Sequence, residues 1–259
     1  MNLSLFDTHA HLDDEQFDVD RAAVVARAEQ DGVEAIVAVG TTLAASQKCV
    51  ELTRQFGLLR AAVGIQPNYV AEAGAEDWDE IVRLVDHESV VALGETGLDR
   101  HWDFSPFELQ QEYFDRHLRL SQQRTLPFVV HMRDCDEDIL AMLREAHARG
   151  PLQGVMHSFT GTAAMAAECV AMGLYVSFAG MVTFKKLDAL RQVAAGIPAE
   201  RILIETDSPY LSPHPVRGVR RNEPANLVHT ARCLAEVRGE TPEQFATQTT
   251  ANARRLFGV

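Results

Sequence analysis

The chain predicts an α/β fold, a TIM (β/α)8 barrel of parallel strands ringed by helices, and three observations carry that expectation. Short apolar runs alternate with amphipathic stretches along the whole sequence, a pattern that implies a parallel sheet with right-handed helical crossovers. The length of 259 residues suits the ~250 residues typical of eight strand–helix units. Five of the apolar runs stop at, or just before, a metal-binding type of residue, and barrel enzymes carry their chemistry at the carboxyl ends of the strands.

The elements follow in order. Residues 3–6 form a first strand that leads into Asp7-Thr8-His9-Ala10-His11, and residues 19–30 a helix with Val24, Val25 and Ala28 inward, ended by Gly32. Residues 35–39 and 58–63 are apolar enough for buried strands, with a helix over 43–56 between them and another over 77–85. The fourth strand, 90–94, runs into Glu95; a long helix then starts with Ser105 as N-cap and Pro106 at its first position, where the missing N–H costs nothing. Strands at 127–131, 154–157, 175–178 and 202–205 alternate with helices at 137–148, 163–172 and 187–195, and two helices, near 224–237 and 242–256, close the chain. No low-complexity linker interrupts the run, so residues 1–259 are expected to form a single domain. A doubly wound sheet would place its site at a strand-order switch, and would not gather residues from strands one, four, five, six and eight.

Composition narrows the function classes. No apolar stretch approaches the ~18 residues of a membrane span, and the N-terminus lacks a basic region followed by an apolar one. The four cysteines, Cys49, Cys135, Cys169 and Cys233, are widely spaced with no C-x-x-C pair; that usage fits reduced thiols and a cytoplasmic protein. A net charge of −13 argues against coating a nucleic acid non-specifically, which needs a basic face. A polyanionic substrate must be attracted locally, by bound cations or by the cluster Arg217, Arg220 and Arg221 with His214.

His9 and His11 lie two apart in an extended segment and point the same way, so one ion can take both. Glu95, between glycines, is placed to bridge two ions, with His131 and His157 on the second and Asp207 able to touch an ion and hydrogen-bond its water. Asp7 and Glu205 suit an outer role, orienting the histidines. Mixed imidazole and carboxylate donors fit Zn, Mn, Fe, Co or Ni better than Mg alone, which favours oxygen. Cys135, Cys169, His87, His117, His147 and His229 are assigned to packing.

With these residues in view the chain resembles the TatD family of metal-dependent deoxyribonucleases, amidohydrolase-like enzymes. The resemblance spans essentially the whole length: Phe6-Asp7-Thr8-His9-Ala10-His11-Leu12, Gly94-Glu95-Thr96-Gly97-Leu98-Asp99, His131-Met132-Arg133, Met156-His157-Ser158-Phe159-Thr160-Gly161, Leu203 to Leu211 around Glu205-Thr206-Asp207-Ser208-Pro209-Tyr210, Arg221-Asn222-Glu223-Pro224, and Asn252 to Phe257. It implies a TIM barrel with two divalent ions (Zn, Mn, Mg, Co, Ni or Fe) held by His9, His11, Glu95, His131, His157 and Asp207. Departures are Gln66, where the family often has His in a Gly-x-His-Pro segment, Ser158 in place of a frequent Cys, and Arg100-His101-Trp102 in a stretch often aromatic in relatives.

The expected activity is phosphodiester hydrolysis of DNA, exonucleolytic on single-stranded ends, by a monomer. Glu95 and Asp207 are the expected catalytic groups, Asp207 orienting water or taking its proton. Arg133 is the phosphate clamp, with an ion pair to Asp134 or Asp136 as its structural alternative. Gln66 and Arg221 are further substrate contacts, although Asn222-Glu223-Pro224 also suits a helix start. Tyr210 and Phe159 are candidates to stack a terminal base. Two other readings stay open: a carboxylic ester or amide hydrolase, such as an aminoacyl-tRNA deacylase, and a non-catalytic scaffold.

Overall fold

The computed structural model describes residues 3–259. Among them, eight strands form one sheet in sequence order, every neighbouring pair parallel. The strands are β1 (Leu5–Ala10), β2 (Val33–Val39), β3 (Leu59–Val63), β4 (Val90–Asp99), β5 (Phe128–Arg133), β6 (Gly154–Met156), β7 (Tyr175–Phe178) and β8 (Ile202–Ile204). Between them run α1 (Arg21–Gln30), α2 (Leu43–Gln55), α3 (Asp77–Leu84), α4 (Phe107–Arg124), α5 (Asp136–Arg149), α6 (Ala163–Ala171) and α7 (Asp188–Gly196); α8 (Leu227–Arg238) and α9 (Pro242–Phe257) follow β8.

The barrel closes through the chain just beyond β8. Asp207 N donates to His9 O at 2.9 Å and His11 N to Ser208 O at 2.7 Å, with a parallel bridge between Ala10 and Ser208. Buried Thr8 donates its hydroxyl to Ile204 O at 3.0 Å, and Thr206 N donates to Asp7 Oδ1 at 2.9 Å. This seam joins the first and last strands and carries three candidate ligands.

Alternate strand residues sort to two faces. Phe6, Val37, Val91, Val129, Val155, Tyr175 and Leu203 pack inside the barrel with Ala253, Leu256 and Phe257 of α9. The Phe257 ring stacks on Phe6 at 5.9 Å, so the last turn of α9 closes the barrel at the end opposite the candidate ligands. Full burial of such a ring is worth ~1.5–3 kcal/mol. The other strand faces build the larger core against the helices, where Val24, Val25 and Ala28 are buried as the α1 pattern predicts. α9 begins with a capping box, Thr241 and Gln244 bonding each other's backbone.

Two expectations are corrected here. β4 does not stop at Gly94 but continues through Asp99, pairing Gly97 with His131 and Asp99 with Arg133. Ser105 does not cap α4: its hydroxyl donates to Asn68 O and accepts from Ala71 N, both at 3.1 Å, which leaves Pro106 at the cap.

Candidate metal centre

Two ladders slip by one residue where candidate ligands lie: β1 against β2 between Asp7 and Ala10, and β4 against β5 between Leu93 and Thr96. An extra residue in a strand re-aims a side chain, and here the extra residues bring His9 and Glu95 to the barrel mouth. Gly94, at φ +137° and joined to Glu95 by a cis peptide, has the conformational freedom the turn in this strand requires. Gly97 lets β5 approach: a Cβ there would lie 2.0 Å from His131 O.

Glu95 is the hub. Its Oε2 lies 3.5 Å from His9 Nε2 and 3.6 Å from His11 Nε2. Its Oε1 lies 2.9 Å from His131 Nδ1 and 3.2 Å from His157 Nε2. Asp207 Oδ1 completes the first side, 3.8 Å from His9 Nε2 and 3.5 Å from His11 Nε2, with those two nitrogens 3.2 Å apart. The structure thus brings together all six residues singled out as ligands.

An outer layer holds the rings. His11 Nδ1 faces Val39 O at 3.0 Å, which fixes the tautomer and leaves Nε2 a lone pair for the mouth. Glu205 Oε1 lies 3.3 Å from His157 Nδ1 and accepts from Ser158 N at 2.6 Å. Asp99 Oδ2 lies 2.9 Å from His131 Nε2 and accepts from Asn68 Nδ2 at 3.0 Å. Asp99 was quoted in a sequence motif without a role; its signal was spacing, since it lies four residues after Glu95 on what proves to be one strand. Asp7 departs from its expected role. Its carboxylate accepts from the backbone of His9 (3.3 Å) and Thr206 (2.9 Å) and from the Thr206 hydroxyl (2.5 Å); it fastens the seam and does not orient an imidazole.

The charges are strongly coupled. Burial pushes the Glu95 carboxyl up, yet His157, His131 and His9 outweigh it and hold it well below the usual carboxylate range. Burial lowers His157, while the Glu95 charge and contact with Glu205 raise it well above an ordinary histidine. His11 is raised to about 9, burial opposing it and Asp207 and Glu95 driving it up. Asp207 ends below its ordinary value because His11, His9 and His157 overcome its burial. His9 goes down, through burial and the neighbouring His157 charge. Burial drives Asp7 up to about 7 against its hydrogen bonds from Thr206.

The donor set fits divalent cations. Donor atoms bound tetrahedrally to one ion at ~2.0–2.1 Å lie ~3.3 Å apart; His9, His11 and Asp207 lie 3.2 to 3.8 Å from one another, and Glu95 Oε2 lies 3.5 and 3.6 Å from the two imidazoles. His9, Glu95 and His157 form a second group whose ligand atoms also lie within 4.8 Å of one another. Such a concentration of carboxylates and partly protonated imidazoles in a buried place is the arrangement that cations neutralise.

A cavity of about 1040 Å³ opens over this cluster, lined by Gln66, Tyr69, Trp102, Phe104, Arg133 and Tyr210 among others. Arg133 is exposed at its rim; its guanidinium lies 5.6 Å from the Trp102 ring centroid and forms no ion pair with Asp134 or Asp136, the alternative left open by the sequence. Gln66 is buried, its Oε1 accepting from Asn68 N at 2.9 Å. Tyr210 is half exposed and edge-on to His11 at 6.0 Å. Two expectations fail. Arg221 does not line the cavity; Nη1 and Nη2 each bond Asp20 at 2.7 Å and Nη1 also reaches Gln16 O at 2.6 Å. Phe159 is buried edge-on against Phe178 and cannot meet a base. Sequence reasoning missed Phe104 and Tyr69 as rim residues and left Trp102 as a departure from relatives; Trp102 and Phe104 stack at 5.4 Å and 7°, and their exposure, unusual for large aromatics, becomes visible only in the fold.

The model of the TatD-related DNases matches residues 6–258. The chain belongs to this family. It is 44% identical over 255 residues to an uncharacterised metal-dependent hydrolase, YabD, of Bacillus subtilis, covering 98% of this chain and 99% of that protein. It is 38% identical over 259 residues to the 3′-5′ ssDNA/RNA exonuclease TatD of Citrobacter rodentium, covering 98% of both. The crystal structure of YJJV, a TatD homologue from Escherichia coli K12, superimposes with a TM-score of 0.92 at 29% identity over the full length of both chains. The TatD fold is therefore the barrel described above, and this chain is a metal-dependent hydrolase of that family. Among the described residues no helix is long and apolar enough to cross a membrane.

Proposed function

We propose that this chain is a phosphodiesterase that removes nucleotides from single-stranded DNA ends, using two divalent cations held by His9, His11, Glu95, His131, His157 and Asp207. The observation that carries the reading is the division of Glu95, one oxygen facing His9 and His11 and the other facing His131 and His157. When bound, the cations supply polarisation of the phosphoryl group and a water made acidic enough to attack it. Asp207, whose Oδ1 lies beside the His9 and His11 nitrogens, would orient that water and receive its proton. Asp99 and Glu205 hold His131 and His157 in place. Arg133 offers a planar fork suited to two oxygens of one phosphate, and Trp102, Phe104 and Tyr210 offer faces on which bases stack. Gln66, with its oxygen committed to Asn68 N, can donate to a phosphate oxygen but carries no charge.

We take residues 1–259 to be one catalytic domain acting as a monomer in the cytoplasm, a reading supported by the continuous sheet and by buried free thiols at Cys49, Cys135 and Cys169. The deciding experiment incubates the purified protein with Mn, Mg or Zn and end-labelled single- and double-stranded oligonucleotides, with an aminoacyl ester as control. Stepwise shortening of single strands is expected. Ester turnover without oligonucleotide cleavage would replace the nuclease reading by a deacylase one.

A further inference from the structure

We infer that the loops after β7 and β8 form a basic ridge that holds the backbone phosphates of the strand beyond the bond being cut; this rests on the nuclease reading above. Residues 179–187 and 208–222 contain Lys185, Lys186, Arg217, Arg220 and Arg221 and no acidic residue, in a chain of net charge −13. Both loops lie at the mouth: Met181 and Leu211 line the same cavity as His157 and Asp207. Glu72 and Asp134, in the loops after β3 and β5, line the same mouth. The two loops thus add a block of positive charge to a rim that is otherwise mixed, and a polyanion leaving the centre is drawn toward β7 and β8.

The ridge is built as one body. His214 N donates to Thr183 Oγ1 at 2.8 Å, and the Arg217 guanidinium sits 4.0 Å above the Phe184 ring, directly before Lys185 and Lys186. The second loop is pinched at its ends, Asn222 N to Pro209 O at 2.9 Å, and braced inside by Ser212 Oγ to Val219 O at 2.9 Å. Arg221 anchors it to Asp20 and is not available to substrate. Lys185, Lys186, Arg217 and Arg220 are exposed and form no ion pair among the described residues. Asp188, the nearest acid along the chain, is already bonded by Arg191. Four unpaired cations on a braced surface, in loops that reach the mouth through Met181, Tyr210 and Leu211, match a run of phosphates rather than a single anion, and they meet the need for local attraction that the acidic chain creates.

The test removes Lys185, Lys186, Arg217 and Arg220 together, each to alanine, in the metal-loaded full chain. Steady-state kinetics are measured across a salt series on a long single strand, and at fixed salt on bis(p-nitrophenyl) phosphate, which is too small to reach the ridge. A second variant, with Arg83, Arg116, Arg119 and Arg144 on the outer helices changed to alanine, carries the same change in net charge. The ridge variant is expected to raise KM for the long strand about tenfold or more, leave kcat and the small diester unchanged, and make the log–log salt slope shallower by about 3, near 0.7 per phosphate contact. Wild-type KM and slope in the ridge variant overturn the ridge while leaving the nuclease reading intact. An equal effect from the outer-helix variant also overturns it, by showing a response to net charge alone. If the wild-type protein cleaves the small diester but no oligonucleotide, the nuclease reading fails and the ridge with it.

Discussion

Each oxygen of Glu95 serves a different pair of imidazoles, and Asp207 stands across the first pair from it. Asp207 lies close enough to His9 and His11 to share an ion with them and is held ionised, so Asp207→Asn removes the proton acceptor at nearly constant volume. We expect kcat on a single-stranded oligonucleotide at saturating metal to fall by ~10²–10⁴-fold with the fold retained by circular dichroism; near-normal turnover would show that the water is oriented by another group. Gln66→His restores a group able to carry charge at the mouth, and several-fold faster cleavage is expected, most of all below neutral pH; an identical pH–rate profile would mark the position as idle. At this scale the six candidate ligands were legible because five apolar runs end at or just before them. The roles of Asp99, Asp7 and Arg221 were not, because each is decided by a partner remote in sequence: His131 for Asp99, Thr206 for Asp7 and Asp20 for Arg221.

Among the elements, β4 was the least legible, since Gly94 and Gly97 look like the end of a strand and in fact let it bend and carry on beside β5. Gly97→Ala would set a Cβ against His131 O at a φ of +131° that side chains rarely adopt. The expected cost is at least ~1–3 kcal/mol, seen as a lower denaturation midpoint together with reduced metal content, because His131 is displaced; full metal content would separate the strand from the site. α4 carries a second test. His117 is buried, with Nδ1 facing Tyr113 O at 2.7 Å and Nε2 accepting from Ile65 N at 3.2 Å. Burial above all lowers it from 6.5 to about 4, so between these values the unfolded chain binds a proton that the folded one refuses. Stability is then full above pH 6.5 and falls as pH drops toward 4, by up to roughly 3 kcal/mol. His117→Gln keeps an acceptor for Ile65 N and removes the titration, so urea midpoints measured over that range should flatten; an unaltered slope would place the acid sensitivity elsewhere.

For the whole molecule, order and type of elements followed from alternation alone, and barrel closure from the need to gather candidate ligands out of strands one, four, five, six and eight. What alternation cannot convey is the plug of α9 under the barrel or the bracing of the loops after β7 and β8 against each other, both products of packing between distant segments. Because the cations bind the folded state and not the unfolded one, removing them with a chelator should lower the unfolding temperature, and readdition should restore it in a concentration-dependent way; a midpoint indifferent to chelation would mean that the cluster binds weakly or not at all. Metal uptake must also displace the proton on His157, so occupancy should decline in acid.

The seam between β1 and β8 has a bearing on biosynthesis. His9 is synthesised well before Asp207, and nothing holds them side by side until Thr206 meets Asp7. A growing polypeptide therefore lacks the assembled centre until β8 is made, and the cell meets a working hydrolase only once the barrel's final stave is in place.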